Sequence, residues 1–480
     1  MGRKIPMWQI LIVIVFVVAA LLYTVIGYDG YIQIPLICGG AVAAIVAILN
    51  GWKWSYLEKG ILNSIDGAMQ ACLILLAVGC LIGTWIEGGV VPTMICYGLM
   101  LLKPGIFLMA TCIICAIVSL STGSSWTTAG TVGIALIGVS SGLGIPLPIT
   151  AGAIISGAYF GDKMSPLSDS TILAPAMAGS NLFDHIRHMV WTVTPSLIIT
   201  VILFGIIGMR YSGSADTEQV TELMRVMEDN FYISPILLIP PAFVIVMVIF
   251  RIPALPGLFA GALLGALCAV FLQGTNFMET MTYVMYDGYV SETGVKFVDS
   301  LLTRGGLKSM MYPITIVFCA MILAGVLDSS NMIHTLVMSF MRFVKGTGSL
   351  VLLTVVTCIA TNLLCADQYV AIVVPGRMYK EIYEDRRLKN KNLSRVLEDA
   401  GTMTSGLIPW TTCGAYMAGT LGVATLVYMP YCFLNLCNPL VSIFYGFTGI
   451  SMEKMTEEEY EKVLARREAE KIAAEKAMVA

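Results

Sequence analysis

Charged residues are scarce in this sequence. Asp, Glu, Lys and Arg together make up 12% of its 480 residues, whereas soluble domains carry about 25%. Histidine occurs only three times, and the 13 cysteines follow no metal-ligand or disulfide spacing. The formal net charge of −3 does not supply the basic surface that nucleic acid requires. A soluble enzyme, a zinc protein and a nucleic-acid-binding protein are therefore disfavoured.

Long runs of apolar residues are abundant in this sequence. Hydrophobic residues make up 57% of the chain, and runs of about 20 apolar residues can cross the hydrocarbon core as helices. This pattern predicts an all-α, polytopic integral membrane protein. We predict spans at 8–27, 32–50, 69–102, 146–178, 189–209, 233–250, 254–273, 309–341, 400–428 and 430–449. Two further apolar runs, 106–142 and 349–375, are interrupted by polar residues and are predicted to be re-entrant hairpins.

Positive charge sets the predicted orientation, because cytoplasmic loops carry an excess of Lys and Arg. Arg3 and Lys4 place the N-terminus inside, and the predicted loop 376–398 holds seven basic residues. Lys345 precedes the run 349–375, so both ends of that run should be cytoplasmic, as in a hairpin. We expect a multi-pass protein of the cell (plasma) membrane, embedded in the lipid bilayer, with both termini in the cytoplasm.

The most informative segment is 161–171, which reads GDKMSPLSDST. A carboxylate at membrane depth costs about 2.5–3.5 kcal/mol by insertion scales, so two acids are hard to explain by packing. Pro166 lacks an N–H and should break the helix, which frees backbone carbonyls beside the acids. Carboxylate, hydroxyl and carbonyl oxygens are hard ligands that suit Na⁺. The predicted ion-binding residues are Asp162, Ser165, Ser168, Asp169 and Thr171, with Asp162 and Asp169 as the Na⁺ ligands. The alternative is a hydrogen-bonded kink without an ion.

An internal repeat is visible in the polar landmarks of the apolar runs. The landmarks recur in the same order at an offset of 241 or 243 residues: Glu87 with Asp328, Ser121 with Asn362, Trp126 with Asp367, and Pro166 with Pro409. An odd number of predicted spans separates the two starts, which predicts inverted topology. Inverted repeats with discontinuous helices are the architecture of secondary transporters.

This repeat organises the whole chain. We predict N-terminal helices in 1–60, a first inverted repeat in 61–188, connecting helices and a loop in 189–300, a second inverted repeat in 301–430, a last transmembrane helix in 431–450 and a cytoplasmic tail in 451–480. Each repeat is predicted to hold one re-entrant hairpin and one broken helix.

The hairpin tips and the second broken helix supply further candidate ligands. Helix ends at such a tip turn N–H groups toward an anion and carbonyls toward a cation. The predicted ion- or substrate-binding residues are Ser121, Thr122, Ser124, Ser125, Asn362, Asp367, Thr411 and Thr412. The alternatives are hydroxyls that only join helices and, for Asp367, a salt-bridged structural acid.

Three other charged residues are candidates for coupling. Lys163 could neutralise Asp162 until Na⁺ displaces it, or it could extend to the cytoplasmic interface. Glu87 and Asp328 each lie in the second half of a predicted span. There, a coupling role and a position at a helix end both fit the sequence.

The segments GDKMSPLSDST (161–171) and STGSSWTT (121–128) resemble the signature of the NhaC family of Na⁺/H⁺ antiporters, and the similarity covers about 60–450. The resemblance implies the larger ion transporter superfamily, with two inverted repeats, and it implies exchange of Na⁺ for protons. Some relatives instead couple Na⁺ or H⁺ to malate, lactate or amino acids. Ser170 stands where the family pattern has Thr, which keeps the hydroxyl.

We therefore predict a secondary active transporter, not an enzyme, that exchanges Na⁺ for H⁺ by alternating access. Burial allows a carboxylate to hold a proton near neutral pH, so Na⁺ and H⁺ would compete for it. The alternative is Na⁺- or H⁺-coupled transport of a small carboxylate or amino acid, of the malate/lactate type. No cofactor is predicted beyond the transported Na⁺ and H⁺, no nucleic acid is expected as a partner, and the sequence leaves a homodimer open.

Overall fold

A computed structural model of the chain is helical throughout most of the residues that it describes, which are 3–28, 30–212, 217–250, 252–340 and 344–479. Within these residues, extended pairing is limited to two isolated bridges. Seven of the described helices are long and apolar enough to cross a membrane, or nine if each of two sharply bent pairs is one span. The predicted all-α polytopic class is confirmed, although length and apolarity alone identify fewer spans than the ten predicted.

The first half of the molecule, 54–178, follows two N-terminal helices, α1 (Met7–Leu22) and α2 (Gln33–Leu49). It contains α3 (Trp54–Glu87), α4 (Val90–Leu101), α5 (Pro104–Thr122), α6 (Ser125–Thr128), α7 (Ile134–Gly142), α8 (Leu147–Met164) and α9 (Asp169–Ala178). A π-helical turn at Ala129–Gly133 joins α6 to α7.

Seven helices connect the two halves. They are α10 (Leu182–Met209), α11 (Thr217–Asn230), α12 (Ile239–Ile249), α13 (Ala254–Leu272), α14 (Phe277–Glu279), α15 (Met285–Asp287) and α16 (Lys296–Leu302). The amphipathic α11 lies outside the predicted spans and packs against α4 and α7. Of the connecting helices, α13 packs along α3, and α10 packs against α5.

The second half is 311–421. It contains α17 (Met311–Ser329), α18 (Met332–Phe340), α19 (Thr347–Cys365), α20 (Gln368–Asp385), α21 (Asn390–Leu397), α22 (Met403–Ser405) and α23 (Thr412–Leu421). A π-helical turn at Glu398–Thr402 joins α21 to α22. The chain ends with α24 (Thr425–Tyr428), α25 (Phe433–Thr448) and α26 (Glu457–Val479).

Each half opens with an interrupted helix rather than one straight span. The predicted span 69–102 is divided between α3 and α4, and Gly89 at the break has φ +76°. The predicted span 309–341 is divided in the same way between α17 and α18, where Asn331 has φ +56°. A left-handed residue cannot continue a right-handed helix, and Gly and Asn tolerate that conformation best.

The two hairpin tips have the same backbone geometry. The first helix of each hairpin ends at a left-handed residue, Gly123 (φ +69°) or Ala366 (φ +57°). The next residue, Ser124 or Asp367, caps the following helix by accepting hydrogen bonds from its backbone N–H groups. Ser124 and Asp367 are 243 residues apart (367 − 124), so the pairing of Trp126 with Asp367 at 241 is wrong by two residues.

Small residues let α5 and α8 pack at close range. A Cβ atom on Gly157 would lie 2.2 Å from the carbonyl oxygen of Cys112. A Cβ atom on Gly161 would lie 2.2 Å from the backbone nitrogen of Leu120. The absence of side chains at these two positions therefore sets how closely the broken helix approaches the hairpin.

The basic segment 376–398 is largely helical, not a loop. Helix α20 continues to Asp385 and α21 begins at Asn390. The tail helix α26 docks on this region, because Arg466 and Arg467 each donate a 2.8 Å hydrogen bond to the buried Glu384. Helix α26 of the tail is therefore anchored to α20 at Glu384.

Gly161→Ala tests the close packing of α5 against α8. The added methyl group meets backbone atoms that cannot move aside, so we expect a lower melting temperature in detergent. Gly67→Ala is the matched control, because nothing lies within 4 Å of a Cβ atom at Gly67 in α3. That control should melt at or slightly above the wild-type temperature. A Gly161→Ala protein as stable as the wild type would contradict the packing.

Candidate functional site

Asp162 is the centre of a hydrogen-bonded polar cluster. Its buried carboxylate accepts a 2.6 Å hydrogen bond from the Ser125 hydroxyl at the first hairpin. It accepts a second, 2.5 Å bond from the Ser168 hydroxyl, just beyond the helix break. The hairpin tip and the two parts of the broken helix therefore meet at one carboxylate.

The helix breaks where the sequence predicted. Ser165, which precedes Pro166, adopts an extended conformation (φ −82°, ψ 129°), since a residue before proline is pushed out of the helical region. The Thr171 hydroxyl donates to the carbonyl oxygens of Asp162 (3.0 Å) and Lys163 (2.9 Å). The Ser165 hydroxyl accepts from the backbone N–H of Leu167. The freed backbone groups are thus turned inward and partly satisfied.

Asp169 does not join Asp162 in this structure. Asp169 is the first residue of α9 and its side chain is exposed, whereas Asp162 is buried. The hydrogen bonds of Ser125 and Ser168 are directed to Asp162. The expectation of two converging buried carboxylates is therefore corrected to one buried carboxylate and one exposed acid nearby.

Lys163 is fully buried and pairs with Asp399 of the second half. Both roles suggested by the sequence are therefore wrong in this conformation. Lys163 does not extend to an interface, because neither it nor Asp399 is exposed to solvent. It does not neutralise Asp162, because its ammonium group is bonded to the other acid.

Asp399 has several further partners, and sequence reasoning missed it. Its carboxylate accepts hydrogen bonds from the Thr192 hydroxyl (2.9 Å) and the Asn438 amide (2.7 Å). The Arg395 guanidinium lies 3.8 Å away, one helical turn earlier. Two adjacent acids, Glu398 and Asp399, at the start of an apolar run could have indicated a buried site. The many basic residues before them instead suggested that this segment is a solvated loop.

The two halves share side-chain hydrogen bonds at a constant offset of 243 residues. Ser125 bonds to Asp162 in the first half, and in the second half Ser405 bonds to Gln368 at 3.2 Å (368 − 125 and 405 − 162). Ser119 donates to the carbonyl of Ala158, and Asn362 donates to that of Gly401. The second half therefore builds a neutral version of the Asp162 cluster.

The other candidates of the second half line this neutral cluster. The Asn362 amide also donates to the Thr404 hydroxyl. Asp367 is half-buried, and the Thr412 hydroxyl lies 3.5 Å from its carboxylate. Thr411 caps α23 by accepting from the N–H of Gly414.

Aromatic residues connect the two halves across the site. Trp126 and Tyr416 stack with their ring centroids 4.2 Å apart, and the Tyr416 hydroxyl donates to the Trp126 carbonyl. The hydroxyls of Tyr159 and Ser405 lie 3.3 Å apart. Together with Lys163 and Asp399, these contacts join the broken helices and the first hairpin into one body.

Some sequence candidates lie outside this cluster. The Ser121 side chain is exposed and bonds to the carbonyl of Ile117 in its own helix. Thr122 bonds to the carbonyl of Ser119, and Ser124 acts as the helix cap. Glu87 is buried at the end of α3, whereas Asp328 is exposed at the end of α17. Within the described residues, no group of three His, Cys, Asp or Glu side chains is arranged to hold a metal ion.

Comparison with known proteins places this site in a family context. A model of the Na⁺/H⁺ antiporter family matches residues 157–450, which is more than half of the chain. The matched range contains the helix breaks of both halves. It also contains both members of the buried ion pair, Lys163 and Asp399.

Several characterised transporters are similar over nearly the whole chain. The Na⁺/H⁺ antiporter NhaC of Alkalihalophilus pseudofirmus is 39% identical over 88% of this chain and 91% of its own length. The malate-2H⁺/Na⁺-lactate antiporter of Bacillus subtilis is 40% identical over 92% and 95%. The arginine/ornithine antiporter ArcD of Halobacterium salinarum is 36% identical over 89% of each. Proteins that are similar to this chain are therefore named after different transported solutes.

A double-mutant cycle tests the buried ion pair. Lys163→Met or Asp399→Asn alone leaves one charge buried without its partner, and each should lower the free energy of unfolding by about 3–5 kcal/mol. The double variant removes both charges, so it should be more stable than the sum of the single effects predicts. Denaturant unfolding in detergent measures these differences.

The exposed pair Lys308–Asp287, with a 2.9 Å contact, is the matched control. Lys308→Met and Asp287→Asn should each leave the free energy of unfolding close to that of the wild type, because solvent screens an exposed pair. Additive effects of Lys163→Met and Asp399→Asn would show that the two side chains do not stabilise each other.

Proposed function

Since the chain belongs to the Na⁺/H⁺ antiporter family, we propose that it is a secondary active transporter that exchanges Na⁺ for H⁺ across a membrane. The observation that carries this proposal is the buried Asp162 carboxylate at the junction of a hairpin tip and a broken helix. A carboxylate held at such depth without a counter-charge of its own is suited to a monovalent cation.

The proposed Na⁺ ligands surround Asp162. Its two carboxylate oxygens and the hydroxyls of Ser125 and Ser168 are hard oxygen donors within hydrogen-bond distance of one another. Lys163 does not compete with Na⁺ for this carboxylate, because Asp399 holds its ammonium group. Ser165, Thr171 and the first-hairpin residues Thr122 and Ser124 support this arrangement by fixing the backbone at the break and the tip.

Asp169 is proposed to attract Na⁺ rather than to bind it directly. Its exposed carboxylate lies seven residues after Asp162, on the far side of the break. A negative charge there raises the local concentration of cations in the approach to the site. Asp367, with Thr412 and Thr411 beside it, occupies the corresponding region of the second half.

Coupling follows from the cost of net charge in a buried site. One bound Na⁺ or one bound proton neutralises a buried carboxylate, whereas both together leave a positive charge in a medium of low dielectric constant. Na⁺ and H⁺ therefore compete for buried carboxylates, and their movements are opposed. Alternation between the two sides would move the hairpins and broken helices as one body against α3, α13 and α17, which pack together.

A second candidate function keeps the mechanism and changes the cargo. Relatives of this chain are named as exchanging malate and lactate or arginine and ornithine. The neutral polar cluster around Gln368, Ser405 and Asn362 offers hydrogen bonds without a charge. Such groups could orient a small organic acid or amino acid that moves with Na⁺ or H⁺.

We also propose a location and an orientation for the chain. The basic residues near the N-terminus and in 376–398 favour a plasma membrane orientation with both termini in the cytoplasm. The domains predicted from the sequence, with two halves in inverted topology, are retained as part of this proposal. A homodimer is compatible with it but is not required by the site.

Asp162→Asn tests the proposed ion site. In proteoliposomes with an imposed Na⁺ gradient and an internal pH indicator, this variant should move protons no faster than protein-free liposomes. The amide keeps the shape and most hydrogen bonds but cannot neutralise a cation. Asp229→Asn, at an exposed acid of α11, is the matched control and should retain the wild-type rate.

Asp169→Asn separates attraction from binding. We expect this variant to need more Na⁺ for half-maximal exchange while its maximal rate is retained. Complete loss of exchange in Asp169→Asn would show that this acid binds the ion directly. Wild-type exchange in Asp162→Asn would contradict the proposed site.

The same proteoliposomes distinguish the two cargoes. Proton movement driven by Na⁺ alone, with no organic solute present, is the expected result. A requirement for trapped malate, lactate, arginine or ornithine on the opposite side would favour the second candidate. Each solute is tested with and without Na⁺, and the Asp162→Asn protein gives the background.

A further inference from the structure

A second buried acid lies beside the site, and the proposed exchange has assigned it no role. Glu398 is the first residue of the π-helical turn Glu398–Thr402 and is fully buried. Neither of its carboxylate oxygens has a hydrogen-bond partner among the described residues. The hydroxyls of Thr402 and Ser170 are its polar neighbours. A buried acid with hydroxyl neighbours but no cation at salt-bridge distance among the described residues requires an explanation.

Lys163 and Asp162 are the charged groups of α8 whose charges act on Glu398. Arg395 and Asp399 flank Glu398 in its own chain segment. These four charges are the buried electrostatic environment of Glu398.

The remaining helices packed on the turn add little charge. Helices α19, α22 and α25 carry no Asp, Glu, Lys or Arg. The acid of α9, Asp169, is exposed. In α20, Arg377, Glu381 and Asp385 are exposed, Lys380 is half-buried, and Glu384 is held by the tail. Lys391 of α21 is half-buried and pairs with Glu453. The titratable groups Cys358, Tyr379 and Tyr383 are thiols and phenols, which are uncharged near neutral pH.

The charges around Glu398 balance without it. Lys163 and Arg395 contribute two positive charges, and Asp162 and Asp399 contribute two negative charges. The cluster is therefore neutral when Glu398 carries a proton. When Na⁺ binds at Asp162, the cluster gains one positive charge, and loss of the Glu398 proton returns it to neutrality. An uncompensated charge at this depth is costly, so these two events favour each other.

On the basis of the Na⁺/H⁺ exchange proposed above, we infer that Glu398 carries the transported proton, at a position separate from the Na⁺ ligands at Asp162. When Na⁺ enters, the O–H bond of the Glu398 carboxyl group breaks, the electron pair stays on oxygen, and the proton passes to water on the open side. When Na⁺ leaves, Glu398 takes up a proton from the opposite side. The two ions are thus coupled through charge and not through a shared pair of oxygens.

Glu398→Gln tests this inference, because the amide mimics the protonated acid and cannot release a proton. Two readouts are measured in proteoliposomes: counterflow of labelled Na⁺ with Na⁺ on both sides, and proton movement driven by a Na⁺ gradient. We expect Glu398→Gln to retain Na⁺ counterflow, with a higher half-saturating Na⁺ concentration. That counterflow should not depend on pH, and Na⁺-driven proton movement should be lost.

Two further variants make the result specific. Glu384→Gln is the control. It replaces another buried glutamate of the second half, one that is paired with the tail arginines Arg466 and Arg467, and it should leave both readouts unchanged. Glu398→Asp keeps the acid in a shorter side chain and should keep coupled exchange with its pH dependence shifted. If Glu398→Gln does not fold, Glu398→Asp decides, and an unshifted pH dependence overturns the inference.

The outcomes distinguish this inference from the exchange on which it rests. The role of Glu398 is overturned if Glu398→Gln moves protons at the wild-type rate in a Na⁺ gradient, or if its Na⁺ counterflow keeps the wild-type pH dependence. Either result leaves the proposed exchange intact. Absence of Na⁺-driven proton movement in the wild-type protein overturns the exchange itself. Loss of both readouts in Glu398→Gln, with normal folding, would make Glu398 part of the Na⁺ site and would overturn the separation.

Discussion

The buried ion pair between Lys163 and Asp399 is the interaction on which the arrangement of the site depends. It connects the broken helix of the first half to the second half, and neither side chain reaches solvent. Two charges in such a place are stable only when they remain together and their other hydrogen-bonding positions are filled. Thr192 and Asn438 donate to the same Asp399 oxygen as Lys163, and the Arg395 guanidinium lies 3.8 Å from the other oxygen. Because Lys163 is bonded to Asp399, it does not cancel the charge of Asp162, as the proposed Na⁺ site requires.

Much of the fold could be predicted because its causes are local. Apolar length identifies membrane helices, Pro166 breaks α8, and a left-handed glycine with a capping serine forms the first hairpin tip. These effects depend on a few neighbouring residues, so a single sequence reveals them. Pro409 and the threonines after it, Thr411 and Thr412, also indicated in the sequence that the second half has a neutral counterpart of the Asp162 cluster. The exact correspondence of the halves was not visible, because weakly similar polar landmarks can be paired at 241 residues, whereas the hairpin tips and the hydrogen bonds correspond at 243.

The rest of the site could not be predicted because it depends on contacts between distant segments. Lys163 and Asp399 are 236 residues apart (399 − 163), and no local pattern assigns one to the other. Arg395 was grouped with a solvated basic loop, although it is fully buried against Asp399, Ser451 and Met452. This grouping moved the predicted start of the span past Glu398 and hid both acids. Asp169 was expected to converge on Asp162, but the helix break turns its side chain outward.

The two halves correspond at a constant offset, but they are not interchangeable. Each half keeps the same hydrogen-bonded frame, yet the charges have been distributed unequally: Asp162 corresponds to Ser405, whereas Glu398 and Asp399 correspond to Ile155 and Ser156. Two copies of the first half would bury two lysines with no acid at the positions of Asp399. Two copies of the second half would each bury two acids, Glu398 and Asp399, with one cation, Arg395, around a neutral frame. The halves are alike in backbone and complementary in charge, so a chimera built from either half alone lacks a balanced interior.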